Sequence, residues 1–342
     1  MGELFLQTPS PLLWGLGGVL ATLTLGALAA VALPILRPGK DYANLRARVA
    51  SWWVMAAFLA ASLLLGWQAV TALFAVISFI ALREFLSLAP TRREDRLVLL
   101  FAYLAVPLSY AQIVADDYIL YLLLIPVWAF LILPFLMAIA GQTRGYLSTM
   151  ASIHWGLVTC VYNLGYAALL MRTPPAEAPQ AGPAGLVFFL LLATEANDVA
   201  QYCWGKLLGR HKIIPKVSPN KTWEGFIGGW ITTAALIWFL GPVFTPLKGL
   251  GLAAAAFSLP LAGFAGDVTM SAIKRDIGVK DTSHLIPGHG GILDRADSLT
   301  FTAPVKNRAT GLATSTRKIR RSRSIRTWPG RRKPAGGNRP AR

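Results

Sequence analysis

Apolar residues in this chain come in long runs. Residues 12–36 form the first, uninterrupted by charge and long enough to cross about 30 Å of hydrocarbon as a helix. Its N-terminal flank carries Glu3 and no Lys or Arg, so it lacks the basic start of a secretory signal and reads as a retained span. Residues 51–89 are too long for one crossing, and Gly66-Trp67-Gln68 predicts a tight turn between two shorter helices. Trp52, Trp53 and Trp67 fall where interfacial aromatics are expected. Further spans are predicted at 97–114, 118–140, 151–170, 185–203, 225–241 and 250–270. These runs exceed what strands or half-buried helices need. The expected fold is all-α: a polytopic integral membrane protein of about nine transmembrane helices.

Composition agrees. Of the 342 residues, 54% are hydrophobic and 14% charged, where a soluble domain would carry about a quarter charged. The net charge of +17 has a local source, because residues 306–342 hold thirteen Lys/Arg and no acid, leaving +4 elsewhere. No fold or aromatic interleaving accompanies that charge, so nucleic acid is not an expected partner. Loops 37–50, 90–96, 141–150, 204–222 and 271–297 hold most of the remaining Lys/Arg, while 115–117, 171–184 and 242–249 hold few. The two sets alternate as nine spans require, with the N-terminus outside and the basic loops cytoplasmic. Cys160 and Cys203 lie in or at the end of apolar runs, with no metal-ligand spacing. The chain divides into N-terminal spans (1–184), a region with two motif loops (185–305) and a basic tail (306–342), expected to be disordered.

Two of the cytoplasmic loops are unlike ordinary connectors. The first runs from Glu195, Asn197 and Asp198 through Gln201 and Tyr202 to Ser218-Pro219-Asn220-Lys221-Thr222-Trp223-Glu224-Gly225. The second starts at Gly266-Asp267 and continues through Ser271, Lys274-Arg275, Lys280-Asp281, Pro287-Gly288-His289-Gly290-Gly291 and Asp294-Arg295-Ala296-Asp297. Carboxylates at or inside apolar spans are costly, which marks Asp198, Asp267, Asp294 and Asp297 as functional candidates. Taken singly, a helix cap or loop salt bridge explains each of them as well. Hard oxygen ligands without clustered Cys or His favour Mg²⁺ over zinc, and a zinc pair of His284 and His289 is the weaker reading. Lys and Arg beside the carboxylates neutralise phosphate oxygens, and the glycines let backbone N–H groups approach an anion. His289 among them is a candidate phosphate contact or proton carrier. Asn220 or Thr222 is placed to cap a helix starting near Trp223. Together these parts suit phosphoryl or nucleotidyl transfer. Gly205-Lys206 lacks the spacing of a Walker loop. Tyr202 and Trp204 read as interfacial aromatics, and His154 and Glu84 as residues anchoring span ends.

The second loop resembles the signature of the phosphatidate cytidylyltransferases, the CDP-diacylglycerol synthases: Ser271, Lys274-Arg275, Lys280-Asp281, His289-Gly290-Gly291, then Asp294-Arg295-Ala296-Asp297. The Ser218–Gly225 stretch resembles that family's upstream element, and Asn197-Asp198 with Tyr202 its Asp-x-x-x-Tyr region, although Gln201 stands where a small residue is common. The resemblance covers about residues 190–304 and implies a reaction, CTP plus phosphatidate giving CDP-diacylglycerol and pyrophosphate. It implies Asp267 and Asp294 as first metal ligands for Mg²⁺, with Asp198, Asp281 and Asp297 second. Asp267, Asp294, Lys274 and Arg275 would form the catalytic set. Lys221, Ser218, Thr222, Lys280, His289, Gly290, Gly291 and Arg295 would bind substrate, with Arg295 either on phosphate or orienting its flanking aspartates. The implied partners are CTP, phosphatidate or a close lipid phosphate, and membrane lipid, in a bacterial plasma (inner) membrane with the site facing the cytoplasm. A homodimer stays open.

One departure stands out. Residues 299–305 begin as another hydrophobic span would, and Lys306 then starts a run of Arg, Ser, Thr, Gly and Pro that cannot span. A frameshift or truncation, a polybasic segment for anionic lipid and a nucleic-acid arm are the readings, in falling order. A shortened scaffold would leave the site residues in place but impair the enzyme. A transporter with intramembrane carboxylates is the rival from another class; it predicts related halves, and the chain shows no clear internal repeat.

Overall fold

A computed structural model of the chain describes residues 8–36, 41–89, 95–141, 143–174 and 177–305. Nine of its helices are long and apolar enough to cross a membrane: α1 Ser10–Leu36, α2 Ala43–Leu65, α3 Trp67–Leu88, α4 Arg96–Ala115, α5 Tyr118–Ile139, α6 Tyr146–Arg172, α7 Gly182–Leu207, α8 Trp223–Phe244 and α9 Leu250–Ile277. Each coincides with a predicted run. Gly66, at φ 103°, breaks the long 51–89 segment into α2 and α3, a backbone conformation that a side chain would resist. Inside α5 the turns widen to a π-helix over Leu124–Ala129, which contains Pro126, a residue with no N–H to give to the regular ladder.

Burial sorts the helices. α3, α6 and α7 have half or more of their most apolar stretch inside the bundle, whereas α1, α2, α5 and α8 turn most of theirs outward, as lipid-facing helices do. Phe74, Tyr121, Ile153 and Phe189 fill the core without exposure. The closest helix pair is α7 with α8. A Cβ at Gly225 would lie 2.8 Å from the Gln201 carbonyl oxygen and 3.0 Å from Gly205 Cα, and one at Gly229 would lie 2.9 Å from the Gln201 nitrogen. Small residues four apart thus let the two backbones touch, the ordinary device for association where no water is available to drive it.

Several buried polar groups pair within the bundle, where no water is at hand to satisfy them. Thr194 and Thr302 share a 2.8 Å hydroxyl contact, and Ser78 pairs with Tyr110 at 2.7 Å. Residues 293–305 form a further helix, α10, whose Leu293, Ala296, Leu299 and Ala303 are buried. Gly266 of α9 gives it room, since a Cβ there would meet the Asp297 carbonyl at 2.5 Å. The basic tail expected at 306–342 lies outside the described residues, as do Glu3, Arg37, Lys40 and the charges at 92–94.

Between α7 and α8 the chain makes an antiparallel pair not expected from the sequence, β1 Lys212–Ile214 with β2 Ser218–Thr222. The end of α7, this hairpin, the start of α8 and the end of α9 lie together, and the start of α2 and the end of α3 join them through Arg48–Gly288 and Glu84–Leu293 hydrogen bonds. Arg172, bonded to Asp116 and stacked over Trp67, marks the opposite end. Both motif loops therefore occupy one end of the bundle.

Candidate active site

Lys221 is placed by the hairpin. Its strand brings the ammonium 2.6 Å from Asp267 Oδ2 on α9 and over the Phe264 ring, and Ser271 Oγ donates to the other Asp267 oxygen at 3.2 Å. The pair borders a cavity of about 190 Å³ lined also by Asp198, Gln201, Tyr202, Ser218, Asn220 and Phe226. Thr222 ends β2 and caps α8, its buried hydroxyl accepting the Gly225 N–H; Asn220, the other candidate, is exposed in the strand. Glu224 in the first turn accepts the Arg210 and His211 N–H groups, which ties the hairpin to the helix. Arg275 does the same from α9, donating to the Val217 carbonyl at 3.3 Å.

Lys274, about two turns beyond Asp267 on α9, meets a different carboxylate. Its ammonium lies 2.8 Å from Asp294 Oδ1, with both side chains nearly enclosed. Asp294 Oδ2 accepts the Thr282 N–H at 2.7 Å, the Thr282 hydroxyl at 3.0 Å and the Gly291 N–H at 2.9 Å. Asp294, expected among the first metal ligands, thus has both oxygens occupied: one holds Lys274 and the other closes the 282–291 loop. The loop needs its glycines. Gly288 and Gly290 have φ of 75° and 82°, in the left-handed region.

Three further residues shape this loop and were not among the candidates. Arg48 Nε donates to the Gly288 carbonyl at 3.0 Å and Ser51 Oγ to the Pro287 carbonyl at 2.8 Å, both from α2. Glu84 of α3 is buried and accepts four hydrogen bonds from residues 282–293. Its signal was present as a carboxylate inside an apolar run; the anchoring role expected of it understates what it does.

His289 packs its ring edge against Trp52, and among the described residues its buried Nδ1 finds no hydrogen-bond partner. Burial, helped by the nearby Arg295 and Arg48 charges, holds its pKa below the ordinary value, so the imidazole is neutral near pH 7. Lys280, Asp281 and Arg295 are exposed. Asp281 borders the loop, where a Cβ on Gly290 would approach it at 3.3 Å.

Asp198, Asp267 and Asp297 lie close enough that each of the first two acts on the third electrostatically. Among the described residues no three carboxylate, His or Cys groups stand in ligating geometry. In donor type, three carboxylates with the Ser271 and Ser298 hydroxyls nearby fit a hard divalent cation. Lys221 holds the position on Asp267 that such an ion would share. The site therefore combines hard-oxygen donors, two enclosed lysines and a glycine loop at a membrane-proximal end, a set suited to handling phosphate charge.

Comparisons with known proteins show what the chain is similar to. The model of the Cytidylyltransferase family matches residues 46–311. "Uncharacterized protein YnbB" of Escherichia coli (strain K12) is 44% identical over 271 residues, covering 78% of this chain and 88% of that protein. A phosphatidate cytidylyltransferase of Mycobacterium leprae is 43% identical over 144 residues, covering 41% of this chain and 43% of that protein. One of Staphylococcus aureus (strain COL) is 41% identical over 125 residues, covering 35% and 47%. The chain thus matches less than half the length of these two named enzymes.

Proposed function

The chain belongs to the cytidylyltransferase family, and from that premise we propose that it transfers a cytidylyl group from CTP to phosphatidate, giving CDP-diacylglycerol and pyrophosphate. The observation that carries this reading is the pairing of Lys221 with Asp267 beside a cavity, and of Lys274 with Asp294 at the same end of the bundle. Such a site meets a lipid head group at the membrane surface and a nucleotide from the aqueous side. We place that side in the cytoplasm of a bacterium, where CTP is made and where the basic loops should face.

In the reaction a phosphate oxygen of the lipid attacks the α-phosphorus of CTP. The bond from that phosphorus to the α,β-bridging oxygen breaks, and pyrophosphate leaves with its electron pair. The substrate supplies the nucleophile, so the protein supplies positioning and charge. Lys221 and Lys274 neutralise the triphosphate, with Arg275 bracing the hairpin that carries Lys221. A Mg²⁺ ion held by Asp267 with Asp198 and Asp297 would add Lewis-acid stabilisation of phosphate oxygens. Asp294 acts by holding Lys274 and the Gly290–Gly291 backbone in place.

Membranes containing the chain, incubated with radiolabelled CTP and phosphatidate, test this. A labelled CDP-lipid is expected, and Asp267→Ala should abolish it. No CDP-lipid above the level of membranes lacking the chain would reject the proposal.

A further inference from the structure

We infer that Glu84, on a span of the N-terminal half, is a positioning residue that sets Lys274 for the phosphate chemistry by holding the 282–293 loop. The inference rests on the cytidylyl-transfer reading for what Lys274 does, and on geometry alone for how Glu84 reaches it.

A buried carboxylate in a membrane bundle is costly unless its lone pairs are filled. Those of Glu84 are filled by the loop. Oε1 accepts Ser283 Oγ at 2.7 Å and the Ile292 N–H at 3.1 Å. Oε2 accepts the Leu293 N–H at 2.9 Å and Thr282 Oγ1 at 3.1 Å. Thr282 bridges the two carboxylates, its N–H donating to Asp294 Oδ2 at 2.7 Å while its one hydroxyl proton is shared between that oxygen, at 3.0 Å, and Glu84 Oε2. Asp294 in turn holds Lys274 at 2.8 Å. The path runs from α3 through a loop about two hundred residues away in sequence to the lysine on α9. Gly291 is what lets the parts close, since a Cβ there would stand 2.4 Å from Glu84 Oε2 and 2.3 Å from Thr282 Oγ1.

A carboxylate is required, because both oxygens face donors only. In Glu84→Gln one arm becomes an NH₂ that must face a backbone N–H of Ile292 or Leu293, and that loop contact is lost. The shape of α3 is unchanged. A brace for the fold alone would lower the amount of folded protein and leave the turnover of the folded fraction intact. A positioning residue would change turnover and the environment of Lys274.

Full-length wild type and Glu84→Gln, purified in detergent, are compared by three readouts. The first is kcat and KM for CTP and phosphatidate. The second is amide hydrogen exchange over 282–293, and the third is the rate at which an amine-reactive ester labels Lys274. For Glu84→Gln the inference expects at least a tenfold fall in kcat, a change under threefold in the KM for phosphatidate, tenfold faster exchange of the loop, and at least threefold faster Lys274 labelling. Ser283→Ala, which removes one donor and leaves the carboxylate, should move the same readouts in the same direction by less, and it serves where Glu84→Gln does not fold. Faster loop exchange with unchanged Lys274 labelling and kcat would overturn the inference, as would no change in any readout. If wild type forms no CDP-lipid, the functional reading fails separately. The exchange and labelling arms then still decide whether Glu84 positions Lys274.

Discussion

Replacing Asp294 by Asn is the sharpest test of how the second loop is built. The substitution keeps size and shape and removes charge. In the wild type Oδ1 faces the Lys274 ammonium at 2.8 Å and Oδ2 faces three donors. A carboxamide has one acceptor and one donor arm. Turning its oxygen toward the loop leaves an NH₂ against the ammonium; the other orientation leaves it against the Thr282 and Gly291 N–H groups. With the Lys274 and Asp294 side chains only 13% and 2% exposed, the magnitudes for buried pairs apply. Removing one partner of such a pair costs about 3–5 kcal/mol, because the other charge stays buried and unmatched. If about 3–4 kcal/mol of that reaches the transition state through a displaced Lys274, kcat falls by roughly 100- to 1,000-fold. Initial rates of CDP-lipid formation at saturating CTP and phosphatidate measure this, beside thermal unfolding in detergent, which should show a lower midpoint. Removing both charges, as Asp294→Asn with Lys274→Met, should recover part of the lost thermal stability and none of the activity. A single variant within threefold of wild-type kcat and with an unchanged midpoint would refute the reasoning, because no buried pair of this geometry could then be acting.

Gly225→Ala places a methyl 2.8 Å from the Gln201 carbonyl oxygen, and overpacking against backbone costs about 1–3 kcal/mol; a lowered unfolding midpoint is expected, with an unchanged one counting against the close α7–α8 contact. Lys221→Met should raise the KM for CTP more than it lowers kcat, the reverse of Asp294→Asn; equal effects on both would deny Lys221 a direct hold on the nucleotide. Chelation of divalent ions should stop turnover and Mg²⁺ restore it, while full activity in excess chelator would remove Asp198, Asp267 and Asp297 from any metal role. Because the folded-state pKa of His289 is depressed, the unfolded chain takes up a proton near pH 6.5 that the folded chain resists, so stability is full above that value and declines as pH falls below it. His289→Asn should show a smaller drop in unfolding midpoint between pH 7.5 and pH 5.5, and an identical drop would dismiss this contribution.

The spans were legible because run length is a property of the local sequence, and even the break at Gly66 could be placed. The candidate phosphate-handling residues were legible because lysines and aspartates in apolar surroundings are conspicuous. Two features were not. The hairpin around Lys221 rests on backbone pairing of Lys212 with Thr222 and Ile214 with Ser218, and a segment rich in Lys and Pro carries no alternation that would predict it. The role of Glu84 depends on contacts with residues about two hundred positions later, where a single carboxylate at a span end has an ordinary local explanation. Gly225 and Gly229 were not singled out either, since the meaning of two small residues four apart depends on the helix they face.

The two lysine–aspartate pairs differ in a way that assigns them different tasks. Lys221 and Asp267 border the cavity, keep 16% and 29% of their side-chain surface, and are joined to little else beyond Ser271. That pair can open, exchanging the lysine for an ion on Asp267 while the lysine turns to a phosphate, without leaving a buried charge unmatched. Lys274 and Asp294 cannot separate so cheaply, since the same carboxylate also closes the loop through Thr282 and Gly291. One pair is therefore suited to be displaced by substrate, and the other to stay fixed through the reaction, with the N-terminal half holding it from behind through Glu84, Arg48 and Ser51. On the proposed reaction, this division makes the N-terminal spans a support for the residue that positions Lys274. Their hydrogen bonds reach the back of the 282–293 loop.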